Sequence, residues 1–157
     1  MPRTVSDKVV DYLCALYNAE IGAIGIYMDQ HVKLDNAGFS KLAEGRKEDA
    51  KEEMRHAEML AERITYLGRN VKYSKHEIPR EEMVEIADML RWNIQLENEA
   101  IEMYNEGIRL CAAENDNGSR LLMEGILRDE EKHLGTSETQ LENLEKYGTH
   151  YIVGQLM

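Results

Sequence analysis

The sequence predicts an all-α protein of one domain, residues 1–157. Four long helices form a bundle, with a long crossover between the second and third and a short fifth helix at the end. Three observations predict this. Only two residues are proline, Pro2 and Pro79, so the stretches between them can run as uninterrupted helix. Apolar residues recur every three or four positions rather than every second one. Strand-forming material is scarce, with one Phe, one Trp and few β-branched runs. At 157 residues the chain is long enough to bury a sizeable core.

Each element follows in order. Leu13, Leu16, Tyr17, Ile24 and Tyr27 form the first stripe, which ends at the turn Asp35-Asn36-Ala37-Gly38. Phe39, Leu42, Ala57, Leu60, Ile64 and Leu67 form the second. A longer polar connection runs from Gly68 to Pro79, which is expected in the first turn of the third helix. Met83, Ile86, Leu90, Ile101, Tyr104 and Ile108 make the third stripe, closed by Asn115-Asp116-Asn117-Gly118-Ser119. Leu122, Ile126, Leu134, Leu141 and Leu144 make the fourth. Segments near 28 residues correspond to helices of roughly 40 Å at 1.5 Å per residue. Gly148 to Met157 is left as a small terminal helix. Short loop, long crossover, short loop is one of the standard bundle connectivities.

Charge narrows the function classes. Nineteen basic against 30 acidic residues give a net −11, which disfavours nucleic-acid phosphates and anionic membranes as partners and favours cations. No run of about 18 apolar residues is present. The opening Met1 to Asp7 has no apolar stretch of the secretory kind, so a cytoplasmic protein is expected. Cys14 and Cys111 are too far apart for a Cys-x-x-Cys motif and are expected as free thiols.

An internal repeat carries the chemistry. Glu20-x-x-Ala23-Ile24-x-x-Tyr27 recurs as Glu97-x-x-Ala100-Ile101-x-x-Tyr104, displaced by 77 residues. Glu53-x-x-His56 recurs as Glu130-x-x-His133 at the same displacement, and the lone Glu precedes its Glu-x-x-His by 33 residues in each half. Residues i and i+3 share a helix face, so each Glu-x-x-His can hold one edge of a metal. The midpoint of Glu20 and Glu53 falls in the first turn, so an antiparallel hairpin brings them to one height; the second midpoint, 113.5, falls about three residues before its loop centre. Glu20 and Glu97 lie on apolar stripes, where a carboxylate is costly unless paired, protonated or bound to metal.

The chain has 22 Glu, so one Glu-x-x-His among five histidines is unremarkable. Two of them, each with a partner Glu at one spacing, are not. Four carboxylates and two imidazoles without thiolate suit a pair of iron or manganese ions. Glu53 and Glu130 would bridge, Glu20 and His56 would complete one ion, and Glu97 and His133 the other.

These motifs resemble bacterioferritin, of the ferritin-like di-iron family, over nearly the whole chain. Tyr12-Leu13 with Asn18-Ala19-Glu20, Glu53-Met54-Arg55-His56-Ala57 and Ile126-Leu127-Arg128-Asp129-Glu130-Glu131-x-His133 carry the resemblance. It implies a ferritin-like bundle and a homo-oligomeric cage of 24 subunits that stores iron. It also implies a ferroxidase centre oxidising Fe(II) with oxygen or hydrogen peroxide, with two Fe ions per subunit at Glu20, Glu53, His56, Glu97, Glu130 and His133. Met54 stands where the family carries an axial ligand to a b-type haem shared by two subunits at a two-fold interface, and a ferredoxin-type reductant would release the mineral through it.

Tyr27 is within reach of the ligands as a redox or hydrogen-bonding residue. Leu60, Thr136 and Ala37 stand where the family often has aromatic residues, and Glu48 where some members have an inner-surface His; Glu48, Asp49 and Glu52 form an acidic helix face. His31 is expected in the core, with a pore position as the alternative, Trp92 in the core or at an interface, and His76 and His150 in solvent. The rival readings are a twelve-subunit Dps-like cage that consumes peroxide and a metal-free helical interaction module. Rubrerythrin is disfavoured because its paired Cys-x-x-Cys motifs are absent.

Overall fold

A computed structural model describes residues 5–75 and 85–157. Four long helices are present: α1 (Asp7–Asn36), α2 (Ser40–Tyr66), α3 (Ile86–Ala113) and α4 (Asn117–Tyr147). A short α5 (Thr149–Tyr151) runs into a wider turn over Ile152–Leu156, where the amide of Met157 reaches the carbonyl of Ile152. No strand occurs among the described residues. The four-helix bundle with a short terminal helix is therefore the fold the sequence predicts.

Three helices end by the same device. Phe39 N bonds Leu34 O and Gly38 N bonds Asp35 O, with Gly38 at φ +88°. Gly68 (φ +74°) and Asn115 (φ +57°) close α2 and α3 with the same pair of bonds. The left-handed residue satisfies the last free carbonyls and turns the chain sharply, so Gly or Asn is needed there. The loop expected at 115–119 is consequently shorter. Asp116 caps α4 at once, accepting from Ser119 N at 2.9 Å, and draws Asn117, Gly118 and Ser119 into the first turn. The turn centre moves to about Asn115, within two residues of the midpoint of Glu97 and Glu130. At the other boundary α3 begins at Ile86, after the extended Glu85; Pro79, Met83 and His76 lie outside the described residues.

α1 packs on α2 and α3 on α4 as two hairpins. Buried apolar residues form two clusters. One contains Leu13, Leu16, Leu60, Ile64, Tyr104 and Ile126, the other Leu34, Leu42, Met89, Leu90 and Leu156. The repeated Glu and His residues occupy the helix turns between them. Asn18 pins the chain leaving α2 along α1, donating to Lys72 O at 2.8 Å and accepting from Ser74 N at 3.1 Å. Arg63 ties the end of α2 to the start of α4 through Asp116 (2.8 Å) and Ser119 (2.9 Å).

α1 is long and apolar enough to cross a bilayer by length and composition. Val9, Val10, Leu13, Leu16, Tyr27 and Leu34 face the bundle core, and the helix carries the buried Glu20 at mid-length, so it packs as a helix of the bundle. Cys14 and Cys111 are free and buried. Trp92 is buried, His150 is exposed, and His31 is half-buried with Nδ1 2.8 Å from Ala43 O on α2.

Gly107 is required by close packing. A Cβ there would stand 2.7 Å from Met123 Sδ and 2.8 Å from the Tyr12 ring, and that ring is fixed by its hydroxyl donating to Met103 O at 2.6 Å. Gly107→Ala gains helix propensity of about 1 kcal/mol but overpacks this contact by about 1–3 kcal/mol. The net expectation is a lower melting temperature by thermal denaturation; an unchanged or raised one contradicts this packing.

Candidate metal centre

The sequence-predicted ligands meet in the bundle interior. Glu20 comes from α1, Glu53 and His56 from α2, Glu97 from α3, and Glu130 and His133 from α4; all six are at least nine-tenths buried. They form two overlapping groups. Glu20, Glu53, His56 and Glu130 each offer an atom within 4.8 Å of the others, as do Glu53, Glu97, Glu130 and His133. Glu53 and Glu130 are common to both.

His56 Nδ1 stands 3.0 Å from Glu53 Oε2, 3.2 Å from Glu130 Oε1 and 3.7 Å from Glu20 Oε1. His133 Nδ1 stands 3.2 Å from Glu53 Oε1, 3.6 Å from Glu130 Oε2 and 3.8 Å from Glu97 Oε1. The two imidazole rings are 6.3 Å apart. Both histidines therefore turn Nδ1 inward. Glu97 Oε2 is buried with no hydrogen-bond partner among the described residues. An orphaned buried acceptor is rare in a folded protein. Oxygen and nitrogen donors in this number suit two divalent ions.

The carboxylates behind the two histidines repeat with the same symmetry. Asp129 Oδ2 lies 3.0 Å from His56 Nε2, and Glu52 Oε2 lies 3.1 Å from His133 Nε2. Glu52 and Asp129 are 77 residues apart, each directly before a shared Glu. Each half thus orients the histidine of the other. Arg55 steadies the pair, with Nη2 2.8 Å from Asp129 and 3.6 Å from Glu52. Carboxylates at the outer nitrogen fix the ring and its tautomer.

The tyrosines cross over likewise. Tyr27 donates to Glu97 and Tyr104 donates to Glu20. Arg46, itself buried, lies 5.7 Å from the Tyr27 ring centre and pairs with Asp49 at 3.0 Å. Sequence reasoning singled out Tyr27 alone and placed Glu52 on a merely acidic face. The 77-residue displacement already contained Tyr104, Glu52 and Asp129.

Electrostatics divides the four glutamates. Burial and the charge of Glu53 push Glu20 well above the usual carboxylate range, and burial with the Glu130 hydrogen bond pushes Glu97 to about 10. For Glu53 and Glu130 burial acts in the same upward direction, but hydrogen bonds from His133 and His56 outweigh it and hold both below the usual range. Burial opposes the charged imidazoliums, yet hydrogen bonds to Glu130 and Glu53 raise His133 to about 12, and those to Glu130, Glu20 and Glu53 raise His56 well above its ordinary value. The protein alone therefore favours charge on Glu53, Glu130 and the two imidazoles and disfavours it on Glu20 and Glu97. Burial, followed by the neighbouring glutamate, raises Tyr27 and Tyr104 well above a normal phenol.

Of the remaining predicted positions, Met54 is 60% exposed, away from the cluster. Glu48 is exposed and pairs with Lys51 at 2.6 Å. Leu60 is fully buried in the apolar core, while Ala37 and Thr136 are exposed. Asp129→Ala removes the partner of His56 Nε2 and is expected to weaken Co(II) binding by about 10–100-fold, measured by titration of the visible Co(II) bands. Unchanged affinity contradicts an orienting role.

Comparison with known proteins agrees with this architecture. The ferritin-like domain profile matches residues 10–147. The bacterioferritin of Streptomyces coelicolor is 36% identical over 142 residues, covering 90% of this chain and 84% of that protein. The bacterioferritin of Mycolicibacterium paratuberculosis is 32% identical over 148 residues, covering 94% and 92%. That of Desulfovibrio desulfuricans is 31% identical over 146 residues, covering 92% and 80%. With the fold, the repeat and these similarities in agreement, the chain belongs to the bacterioferritins of the ferritin-like family.

Proposed function

We propose that this chain is an iron-storage subunit and ferroxidase, oxidising Fe(II) to Fe(III) at the carboxylate–histidine centre. The observation that carries the reading is the pair of overlapping ligand groups sharing Glu53 and Glu130. Glu20 and His56 would complete one iron site, Glu97 and His133 the other. Two substrate ions held this close each give one electron to a single oxidant, oxygen or hydrogen peroxide, and the ferric product passes to mineral in a cage. The protein supplies ligand geometry and a water-poor interior, and the metals supply the redox chemistry. Tyr27 and Tyr104 steer Glu97 and Glu20.

The cage reading, 24 copies, rests on the family and on an exposed apolar row of Ile21, Met28 and Val32 along α1, a surface that self-association would cover. Met54, an exposed thioether on α2, is proposed as the axial ligand to a haem between two subunits, through which a ferredoxin-type reductant would reach the mineral. Oxidant identity, copy number and a cytoplasmic setting belong to this proposal.

Fe(II) added in air to the metal-free protein tests it. A fast rise in ferric absorbance that saturates near two irons per chain is expected. Oxidation no faster than in buffer, without saturation, overturns the reading.

A further inference from the structure

Among the residues that the internal repeat preserves and the metal centre does not use are Ala23 and Ala100, 77 positions apart. Both line a slot of about 90 Å³ between α1 and α3. Ala19, Ala23 and Ile26 wall one side and Leu96, Ala100 and Met103 the other, and the floor is the carboxylate cluster itself. The wall residues are half-buried, so the slot opens outward.

The slot is held open from both ends. Tyr12 donates to Met103 O at 2.6 Å on one side of it. On the other, Gln30 and Asn93 exchange side-chain amide hydrogen bonds at 2.7 and 3.0 Å, fully buried. These tethers fix the separation of α1 and α3, and alanine in the middle leaves the gap unfilled. Interiors are ordinarily packed without such voids, and the alanine on each wall of this one stands at the displacement that relates the ligands.

Its chemistry selects what can pass. Apart from the floor, Glu99 at the exposed rim is the only charged lining residue. A hydrated cation would shed water against alanine, isoleucine and leucine with nothing to replace it, whereas a small uncharged molecule gives up little. The opposite seam, between α2 and α4, is polar, with Glu52 and Asp129 against the histidines. We propose that the α1–α3 slot admits dioxygen, which unlike hydrogen peroxide gives up no hydrogen bonds against apolar walls, to the carboxylate cluster. The proposal rests on the ferroxidase reading and deepens it; the slot conducts a molecule and changes no bond.

Two measurements test it. Crystals of the unmodified protein under xenon pressure are expected to show xenon between Ala23 and Ala100, since accessible apolar cavities take up xenon; an empty slot overturns the proposal. The Ala23→Leu/Ala100→Leu variant is expected to bind about two Co(II) per chain, like the unmodified protein. Its first Fe(II) oxidation by dissolved dioxygen should slow by about tenfold or more as the leucines fill the gap, recovering as dioxygen is raised. Normal Co(II) binding with undiminished oxidation overturns the proposal. Where the variant does not fold, the xenon result decides. Failure of the unmodified protein to bind Co(II) at all carries a different signature and overturns the ferroxidase reading beneath it.

Discussion

Glu97→Gln is expected to abolish the fast phase of Fe(II) oxidation while leaving the metal-free protein as stable as before. In the metal-free state Glu97 is held neutral, so glutamine reproduces its charge and shape and the acceptor for the Tyr27 hydroxyl. The stability change is expected within about 0.5 kcal/mol. Glutamine cannot give up a proton to become an anionic ligand, so oxidation falls at least about a hundredfold, the upper range for losing an outer-shell partner alone. Glu130→Ala contrasts with it. Glu130 is the charged partner of both imidazoles, so its removal ends oxidation and also leaves buried positive charge uncompensated, costing about 3–5 kcal/mol. Stopped-flow oxidation and urea unfolding of the metal-free forms separate the two. Equal stability losses in both variants contradict the charge assignment.

Loading two divalent ions is expected to expel about four protons per chain. Two come from the neutral carboxyls of Glu20 and Glu97 and two from the imidazoliums of His56 and His133. The centre is then neutral before and after: two carboxylates against two imidazoliums first, four carboxylates against two divalent ions afterwards. Binding must therefore tighten as pH rises. The metal-free fold follows the opposite course. All four groups have folded-state values raised above the unfolded ones, so their contribution is fully present below the unfolded values and is lost as pH climbs through the folded ones, near 10 for Glu97 and 12 for His133. Glu53 and Glu130, held low, contribute above the ordinary carboxylate range and lose that contribution as pH falls through their depressed values. Proton release on Zn(II) addition, followed with an indicator in weak buffer, checks the exchange. Release near zero contradicts it. Melting of the metal-free protein should fall from pH 7 towards 10, and Zn(II) should reverse that fall.

Much of this centre is legible in the sequence because the proposed metal site is symmetric and repeats its glutamates and histidines at one displacement. Glu20, Glu53, His56, Glu97, Glu130 and His133 stand out once that displacement is seen, and the apolar stripes place the lone glutamates inside. The supporting shell is harder to read. Glu52 and Asp129 look like any two of 30 acidic residues until the bundle brings each against the histidine of the other half. Arg55 is exposed, and only the fold sets it between those carboxylates. Boundaries failed for local reasons. Asn117-Gly118-Ser119 has the composition of a loop, but the Asp116 cap recruits it into α4. The slot between α1 and α3 was written as a repeated alanine, which has no meaning until both copies face one gap.

The central claim is that Glu53 and Glu130 join two metal ions in one buried centre. Anomalous diffraction at the iron edge, from crystals soaked anaerobically in Fe(II), tests it most directly. Two peaks per chain are expected, one bounded by Glu20 and His56, the other by Glu97 and His133, with both shared glutamates between them. A single surface peak, or none among these six residues, would contradict the account.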